Sequence, residues 1–423
     1  MPGKNTRFLS VLGRALGALS IALALTGTAL AQQPPLRIGF GMSLTGPLAG
    51  NGKAALIAMD IWKDDVNAKG GILGRKVEFV YYDDQTNPST VPSIYTKLLD
   101  VDKVDLVVSG YGTAVIAPAM PLMMQRNLTF MTLFGLNVNS KFNYDRYFQI
   151  MPAGPEPAVG WTRGFFDAAM TLNPKPKTIA LVGADAEYPH LALEGARVHV
   201  KRLGLKVVYD KSYPPNTVDY SPIVRAIQAT NPDLVYLASY PPDSAGMVRA
   251  VNEVGLKTRM FGGGMVGTQF AALKTQLGPM LNGVVNYELY VPELSGKFPF
   301  LDKFLAKYQE RAAKEGVDPL GYYLPPYAYA MMQVLDQAIT ATKGLDQAKL
   351  AEYIHKNTFD TFVGKVSFAK NGEWAVPRVM MVQFHGIQGN SVDQWKKPGV
   401  LTVLEPSTYK TGPVKAPFQD ARK

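Results

Sequence analysis

The sequence predicts an α/β protein with two similar units in tandem, each a mainly parallel sheet flanked by helices. Three observations favour this fold class: short apolar runs typical of buried strands, amphipathic stretches between them, and a restart of the same alternation near residue 178. The order strand, helix, strand implies parallel strands joined by right-handed crossovers. A chain of 423 residues also exceeds one core of ordinary size, so we expect two domains.

The first unit is predicted from four apolar runs and the helical patterns between them. Apolar residues from Leu56 to Val66 recur at three- and four-residue spacing, which predicts a helix that ends at Gly70-Gly71. Two further helical patterns start at Val91 and Ile116. The predicted strands are Arg37–Phe40, Val77–Tyr82, Asp105–Ser109 and Leu128–Thr132.

The second unit repeats the pattern and is followed by late elements that could belong to either unit. Its predicted helices lie near 189–203, 221–229 and 243–254. Its predicted strands are Thr178–Val182, Lys206–Tyr209, Asp233–Leu237 and Arg259–Gly262. The late elements are strands at Val284–Tyr290, Thr361–Phe368 and Val379–Phe384, and helices at Leu301–Ala313 and Tyr327–Thr342.

The first 31 residues have the pattern of a cleaved secretion signal. Three basic residues precede a short apolar run, Leu16–Leu25, and Ala29-Leu30-Ala31 has the small-x-small pattern that signal peptidase reads. A membrane anchor is the main alternative, but this run is shorter than the roughly 20 residues that span a bilayer. The chain contains no cysteine, so lipid attachment through a thiol and disulfide bonds are both excluded. We therefore expect export, with a mature chain that begins at Gln32.

The charge pattern argues against nucleic-acid binding. Without the leader, 41 Lys and Arg remain beside 34 Asp and Glu, and the two signs are interspersed with no block of five or more basic residues. The small excess of positive charge is more simply explained by a solvated surface.

Motifs for catalysis or metal binding are absent or incomplete. Gly39-Phe40-Gly41 lies where a dinucleotide loop would begin, but Leu44 occupies the place of the third glycine. Four histidines occur, without the spacing of metal ligands or a companion cysteine, and there is no G-x-S-x-G elbow. A hydrolase that pairs Thr113 with His190 is the remaining enzymatic reading, although the two residues fall in different units. We therefore predict that the chain is not an enzyme and needs no cofactor or metal.

The region after the first predicted helix carries the most specific pattern in the chain. It runs from Asn67 to Val77, continues through Tyr82-Asp83-Asp84 and Asn87-Pro88, and is preceded by the segment Ser43–Pro47. Together with Val254–Lys257, this combination resembles the type I periplasmic solute-binding proteins of the leucine/isoleucine/valine family. The resemblance covers nearly the whole mature chain.

The resemblance implies a two-lobed type I periplasmic binding protein fold with three hinge crossings. The N-terminal lobe would comprise residues 35–154 plus 287–375, the C-terminal lobe 155–286 plus 376–410, and the tail 411–423. Such proteins close on a small solute and deliver it to an ABC permease with its ATPase subunits, which implies a monomer in the periplasm without a lipid anchor. Closure works because the ligand binds the closed form better than the open one.

The resemblance also places candidate ligand-binding residues at the carboxyl ends of the strands, where open α/β sheets bind ligands. In related amino-acid binders, a small hydroxyl residue at the position of Thr113 holds the ligand carboxylate; helix capping is the structural alternative. Tyr188 and Tyr240 match tyrosines that face the ligand from the second lobe, and Tyr322, with Tyr323 beside it, would enter from a later helix. The candidate ligand-binding residues are Ser43, Asn51, Tyr111, Thr113, Phe134, Gly135, Leu136, Tyr188, Tyr240, Gly264 and Tyr322.

Two positions depart from the pattern of amino-acid binders. Those proteins hold the ligand ammonium group with a hydroxyl residue and an acidic residue, and the corresponding places here are Leu136 and Gly264. Neither side chain accepts a hydrogen bond. A buried ammonium group without a carboxylate costs several kcal/mol, so a zwitterionic amino acid is disfavoured. The alternative is that Asn137 or Asp185 serves the ammonium group.

These departures favour an aromatic carboxylate, such as a benzoate or a hydroxycinnamate, as the ligand. Aromatic side chains would stack on its ring, and hydroxyl and N–H groups would hold its carboxylate. Branched-chain amino acids and short amides remain the second and third readings. The same fold also occurs in sensing domains, so ligand sensing through a separate receptor is a further alternative.

Overall fold

The computed structural model describes residues 33–422, apart from the side chain of Pro299; the expected signal peptide, residues 1–31, lies outside them. The strands are β1 Leu36–Met42, β2 Val77–Asp83, β3 Leu106–Tyr111, β4 Phe130–Leu133, β5 Tyr147–Gln149, β6 Thr178–Ala184, β7 Lys206–Tyr213, β8 Leu234–Ser239, β9 Met260–Met265, β10 Val285–Glu288, β11 Phe359–Thr361, β12 Gly364–Val366, β13 Met380–Phe384 and β14 Leu401–Glu405. The α-helices are α1 Ala49–Ala68, α2 Val91–Asp100, α3 Thr113–Ile116, α4 Met120–Gln125, α5 Pro157–Ala169, α6 Glu187–Leu203, α7 Ser221–Ala229, α8 Pro241–Val254, α9 Ala271–Leu277, α10 Pro299–Glu315, α11 Pro325–Thr342, α12 Gln347–Lys356 and α13 Phe418–Ala421. Short 3-10 helices lie at Pro88–Thr90, Ala117–Ala119, Val138–Ser140, Val266–Gln269, Gly278–Leu281, Pro292–Leu294, Val392–Lys396 and Ser407–Tyr409.

The first lobe is built on a parallel sheet of five strands in the order β2-β1-β3-β4-β5. The late helices α10 and α11 pack against α1 of this lobe. Polar contacts support the packing: Tyr329 donates a hydrogen bond to Asp65 at 3.0 Å, and Arg311 pairs with Asp64 at 3.0 Å. The late helices α10 and α11 therefore belong to the first lobe.

The second lobe is built on a seven-stranded sheet in the order β14-β13-β10-β9-β8-β6-β7. Strands β6 to β10 run parallel, whereas β13 lies antiparallel to both β10 and β14. The sheet is therefore mainly parallel, as predicted. The C-terminal tail packs on this lobe, since Phe418 is fully buried and its ring lies 5.5 Å from the ring of Phe261.

The chain passes between the two lobes three times. The first crossing, residues 150–156, follows β5; the second, residues 289–298, follows β10; the third, residues 367–379, leads into β13. The predicted α/β fold class, two lobes with three crossings, is confirmed. Within residues 33–422, no helix combines the length and the apolar character needed to cross a bilayer.

Local signals account for most element boundaries. Helix α1 ends at Ala68, and Gly70 and Gly71 follow with φ of 106° and 84°, in the left-handed region that glycine adopts without a steric penalty. A Cβ at Gly71 would lie 1.9 Å from the carbonyl oxygen of Arg75, so only glycine fits this turn.

One element prediction was wrong and several elements were missed. The segment predicted as one strand, Thr361–Phe368, contains the end of β11, a turn at residues 362–363 and β12, so the chain reverses within it; Gly364, which follows the turn, has φ of 89°. Four helices, α5, α9, α12 and α13, and two strands, β5 and β14, had no counterpart among the predicted elements. Strands β5 and β11 have only three residues each, too few for a periodic pattern to show.

Candidate ligand-binding cavity

A small cavity lies between the lobes, where the loops after β3, β4 and β8 meet the start of α6. Its volume is about 20 Å³, enough for one water molecule, so a larger ligand requires the lobes to move apart. The cavity is lined by Tyr111, Gly112, Thr113, Phe134, Leu136, Met151, Trp161, Tyr188, Tyr240, Val266 and Tyr323. Both lobes therefore contribute aromatic side chains to one enclosed space.

Thr113 is the first residue of α3 and is buried, but its side chain does not cap the helix. Its hydroxyl oxygen accepts a hydrogen bond of 3.0 Å from the backbone N–H of Leu136, in the loop after β4. Because the oxygen is the acceptor in this bond, the hydroxyl proton is not used in it and can be donated to another group. Thr113 therefore joins two loops of the first lobe and presents a donor near the cavity.

The loop after β4, residues 134–137, brings Phe134 and Leu136 to the cavity in an unusual backbone conformation. Phe134 has φ of 55°, a left-handed value that costs a bulky residue about 1–3 kcal/mol. Its ring makes edge contacts with Tyr323 and Tyr327, at centroid distances of 5.4 and 5.2 Å. Such strain persists only where surrounding contacts hold it.

Tyr188 is the centre of the polar contacts on the side of the second lobe. Its hydroxyl accepts a hydrogen bond from the indole N–H of Trp161 at 3.2 Å and donates to the carbonyl of Gly264 at 3.0 Å. Its ring lies 5.8 Å from the ring of Tyr240. These contacts fix the Tyr188 ring against the cavity.

Tyr111 and Tyr323 form the corresponding pair on the side of the first lobe, with their hydroxyl oxygens 3.2 Å apart. Burial raises the pKa of the Tyr111, Tyr188 and Tyr240 hydroxyls, and it raises the pKa of Tyr323 to about 12. An acid with a raised pKa keeps its proton at physiological pH. The cavity thus has neutral hydroxyl groups that both donate and accept hydrogen bonds.

Residues 35–388 match the family described as periplasmic binding protein. The chain belongs to this family. The Leu/Ile/Val-binding protein of Escherichia coli K12 is 24% identical over 372 residues, which cover 86% of this chain and 94% of that protein.

Two solved structures show the same fold. A branched-chain amino acid transporter substrate binding protein from Streptococcus pneumoniae, in complex with isoleucine, has a TM-score of 0.71 and 17% identity, covering 88% of this chain and 100% of that chain. A solute binding protein of an ABC transporter from R. palustris, in complex with 4-hydroxybenzoate, has a TM-score of 0.70 and 20% identity, covering 85% and 95%. The predicted family is confirmed.

As a member of this family the chain is a solute-binding protein and not an enzyme, like the curated relatives that it matches, which are named binding proteins. The enzymatic alternative also lacks support in the geometry. The His190 Nε2 atom lies 2.9 Å from a carboxylate oxygen of Asp185, and His190 does not line the cavity with Thr113.

The structure brings together six of the candidate residues at this periplasmic binding protein's cavity: Tyr111, Thr113, Phe134, Leu136, Tyr188 and Tyr240. Their direct contact with a ligand stays a prediction. The other five do not line the cavity: Ser43, Asn51, Gly135, Gly264 and Tyr322.

Each of these five has other neighbours. The Ser43 hydroxyl donates to Asp84 at 2.6 Å, and Gly135 accepts a bond from the side chain of Gln149 at 2.9 Å. Asn51 lies buried in α1, and its side-chain oxygen has no hydrogen-bond partner. The carbonyl of Gly264 is occupied by Tyr188, as described above, and the ring of Tyr322 packs 4.9 Å from that of Tyr290.

Three lining residues with side chains were missed, Met151, Trp161 and Val266, and Tyr323 was named only as the neighbour of Tyr322. Tyr323 is adjacent to Tyr322, and in an irregular segment no periodicity indicates which of two neighbours faces inward. Trp161 belongs to the unpredicted helix α5, whose apolar spacing could have revealed the helix but not its partner Tyr188. Met151 lies in the first crossing, where the chain carries no periodic signal.

The electrostatics of the cavity are simple because no lining side chain carries a charge. Asp185 and Asn137, the alternative acceptors for an ammonium group, do not line the cavity, and the Asp185 side chain is 65% exposed. A Cβ at Gly264 would lie 2.8 Å from the hydroxyl oxygen of Tyr236, so an acidic side chain does not fit there without a shift. Within residues 33–422, no group of three His, Asp or Glu residues could hold a metal ion.

Proposed function

We propose that this chain is the exported solute-binding component of an ABC importer of the branched-chain amino acid type, and that it captures a small aromatic carboxylate by lobe closure. The observation that carries the proposal is the uncharged cavity, lined by five aromatic hydroxyl or indole side chains: Tyr111, Trp161, Tyr188, Tyr240 and Tyr323. Aromatic rings contribute about 0.5–1.5 kcal/mol per stacked or edge contact beyond the burial of area.

The carboxylate of such a ligand would bind at Thr113. Its hydroxyl proton is available for the ligand because the oxygen is the acceptor in the bond from the N–H of Leu136. Hydrogen bonds from neutral donors stabilise an anion without a buried counter-charge. This arrangement suits an anion that has no accompanying ammonium group.

A branched-chain amino acid is the second candidate ligand, favoured by the names of the E. coli relative and of the S. pneumoniae structure. Against it stands the absence of an acidic side chain at the cavity, since a buried ammonium group without a carboxylate costs several kcal/mol. The R. palustris protein has the same fold and was solved in complex with 4-hydroxybenzoate, which supports an aromatic carboxylate as a ligand that this fold can hold.

Calorimetric titration of the purified protein separates the two candidates. We expect saturable binding of benzoate or 4-hydroxybenzoate and no heat with L-leucine or L-isoleucine. Refolded protein should be used, so that any co-purified ligand is removed first. Tight leucine binding without binding of any aromatic acid would overturn the ligand assignment and leave the transport role intact.

The remaining expectations extend the same proposal. The leader, residues 1–31, would direct export to the periplasm without lipid attachment, and N-terminal sequencing of the mature protein should begin at Gln32. The partners would be an ABC permease and its ATPase. The lobes would comprise residues 35–154 with 287–375 and 155–286 with 376–410, except that Tyr287 and Glu288 go with the second lobe, because β10, Val285–Glu288, is part of its sheet.

A further inference from the structure

We propose that Gln149 is a positioning residue that holds the loop of residues 134–137 in its ligand-ready conformation and ties this loop to the hinge. The inference rests on the proposed function, because it assumes that the solute binds in the cavity that this loop lines. Gln149 is the last residue of β5 and is fully buried.

The side-chain amide of Gln149 brackets the strained part of the loop. Its oxygen accepts the backbone N–H of Phe134 at 2.9 Å, and its nitrogen donates to the carbonyl of Gly135 at 2.9 Å. These two bonds hold Phe134, which has φ of 55°, and the carbonyl of the next residue, Gly135. Phe134 then projects into the cavity, and the N–H of Leu136 reaches the Thr113 hydroxyl.

The amide has no hydrogen-bonding capacity left for a ligand. Its nitrogen also donates to the hydroxyl of Tyr147 at 2.8 Å, and its oxygen also accepts the N–H of Met151 at 3.3 Å. A primary amide has two N–H donors and two acceptor lone pairs, so all four are in use. Gln149 therefore acts through the residues that it holds and not by touching the solute.

Gln149 also links the loop to two of the three crossings. Met151, which lines the cavity, is in the first crossing, and the backbone N–H of Gln149 donates to Gly372 in the third crossing at 2.8 Å. A Cβ at Gly372 would lie 1.8 Å from the carbonyl oxygen of Tyr147, so this contact is close. A hinge movement in either crossing would thus reach the loop through Gln149.

The test compares Gln149→Met with the matched control Gln383→Met. Gln383 is also buried and makes an equivalent bracket in the second lobe: its nitrogen donates to Gly283 at 3.1 Å and to Lys415 at 2.9 Å, and its oxygen accepts the N–H of Lys415 at 2.7 Å. Methionine has a similar size and cannot make these bonds. Both variants should lose similar stability, whereas only Q149M should weaken 4-hydroxybenzoate binding, by on the order of tenfold.

A second measurement needs no ligand. Amide hydrogen exchange at Phe134 and Leu136 should accelerate in Q149M and stay unchanged in Q383M, because only the first substitution removes the acceptor of the Phe134 N–H and loosens the loop that carries the Leu136 N–H to Thr113. Equal affinity in the two variants, or unchanged exchange at these amides in Q149M, would overturn the positioning role. If Q149M does not fold, Gln149→Glu, which keeps an acceptor for Phe134 and loses the donor to Gly135, takes its place.

The outcomes for the two proposals are distinguishable. If the wild-type protein binds L-leucine and not 4-hydroxybenzoate, the ligand assignment fails, and the affinity comparison is made with leucine. If it binds neither probe, hydrogen exchange in the ligand-free protein decides the role of Gln149 alone.

Discussion

The cavity and an ion cluster, formed by the buried Lys274 and Glu288 with the half-buried Asp318, are each approached by one of two consecutive tyrosines. Tyr323 lines the cavity, whereas Tyr322 lies near the cluster, where burial first and then Tyr290, Asp318 and Glu288 raise its pKa. The cavity contains no charged side chain, whereas the cluster holds one ammonium group and two carboxylates. The two regions differ in counter-charge, because the Glu288 carboxylate has the Lys274 ammonium group beside it and the cavity offers only hydroxyl and N–H groups.

The ion cluster illustrates the requirement. The Lys274 ammonium group lies 2.8 Å from the Glu288 carboxylate, with both side chains at most 2% exposed, and it also lies over the ring of Trp395 at 5.3 Å. Burial raises the pKa of Glu288, although Lys274 opposes this effect. A solute in the cavity meets no such counter-charge, so its charged end depends on hydroxyl and N–H dipoles.

The largest expected effect is in the ion cluster. Lys274→Met leaves the Glu288 carboxylate buried without a partner, and we expect the free energy of unfolding to fall by about 3–5 kcal/mol in urea denaturation. The double variant Lys274→Met with Glu288→Leu should recover most of this loss, because the buried Glu288 carboxylate is removed as well and Asp318 keeps the backbone N–H groups of Ala271 and Gly321.

Lys314 is the control for this prediction. Its pair with Glu310 is exposed, so Lys314→Met should leave the unfolding midpoint nearly unchanged. Equal losses for Lys274→Met and Lys314→Met would break the comparison, because they would show that the buried pair is not energetically distinct.

The next effect concerns the cavity. Thr113→Val removes the hydroxyl donor, and a hydrogen bond to a charged group contributes about 1.5–3 kcal/mol, so we expect the Kd for the aromatic carboxylate to rise by roughly 10- to 100-fold. Thr113→Ser keeps the donor and should bind within about threefold of the wild type. Calorimetric titration measures all three proteins.

Thr96→Val serves as the matched control for the loss of a threonine hydroxyl. Thr96 is exposed in α2, and its hydroxyl donates to the carbonyl of Pro92 at 2.8 Å, away from the cavity. Affinity should be unchanged in this variant. If Thr113→Val also binds the carboxylate normally, the solute charge is held elsewhere.

The smallest effect is expected at the exposed rim. Lys141 of the first lobe pairs with Glu187 of the second at 2.8 Å, but the side chains are 60% and 38% exposed. Lys141→Ala should therefore change the Kd by less than about threefold, and the change should vanish at 0.5 M salt, where the screening length falls to a few Å.

Lys365→Ala, which breaks an exposed pair with Asp360 away from the lobe boundary, should have no effect on Kd at any salt concentration. A large, salt-resistant effect of Lys141→Ala would make this pair a determinant of closure.

Sequence reasoning predicted the elements far better than their contacts. Helix α7 has the predicted bounds, and α1 ends where its glycines indicated, because apolar spacing and glycine conformation depend on consecutive residues. Thr113, Tyr188 and Tyr240 were placed in one cavity because carboxyl ends of parallel strands meet at one edge. The sequence could not show whether Tyr322 or Tyr323 faces the cavity, because an irregular segment has no periodic pattern that tells which of two neighbouring side chains points inward.

The sequence by itself determined the alternation of strands and helices, the exclusion of disulfides and the family pattern around Asn67–Val77, because each is a property of residues close together in the chain. Only the tertiary structure decided that Gln149 brackets the loop at Phe134, that Trp161 supports Tyr188, and that no charge lines the cavity. These features join residues that are distant in sequence, and a side chain finds such partners only when the packing of the folded chain brings them together.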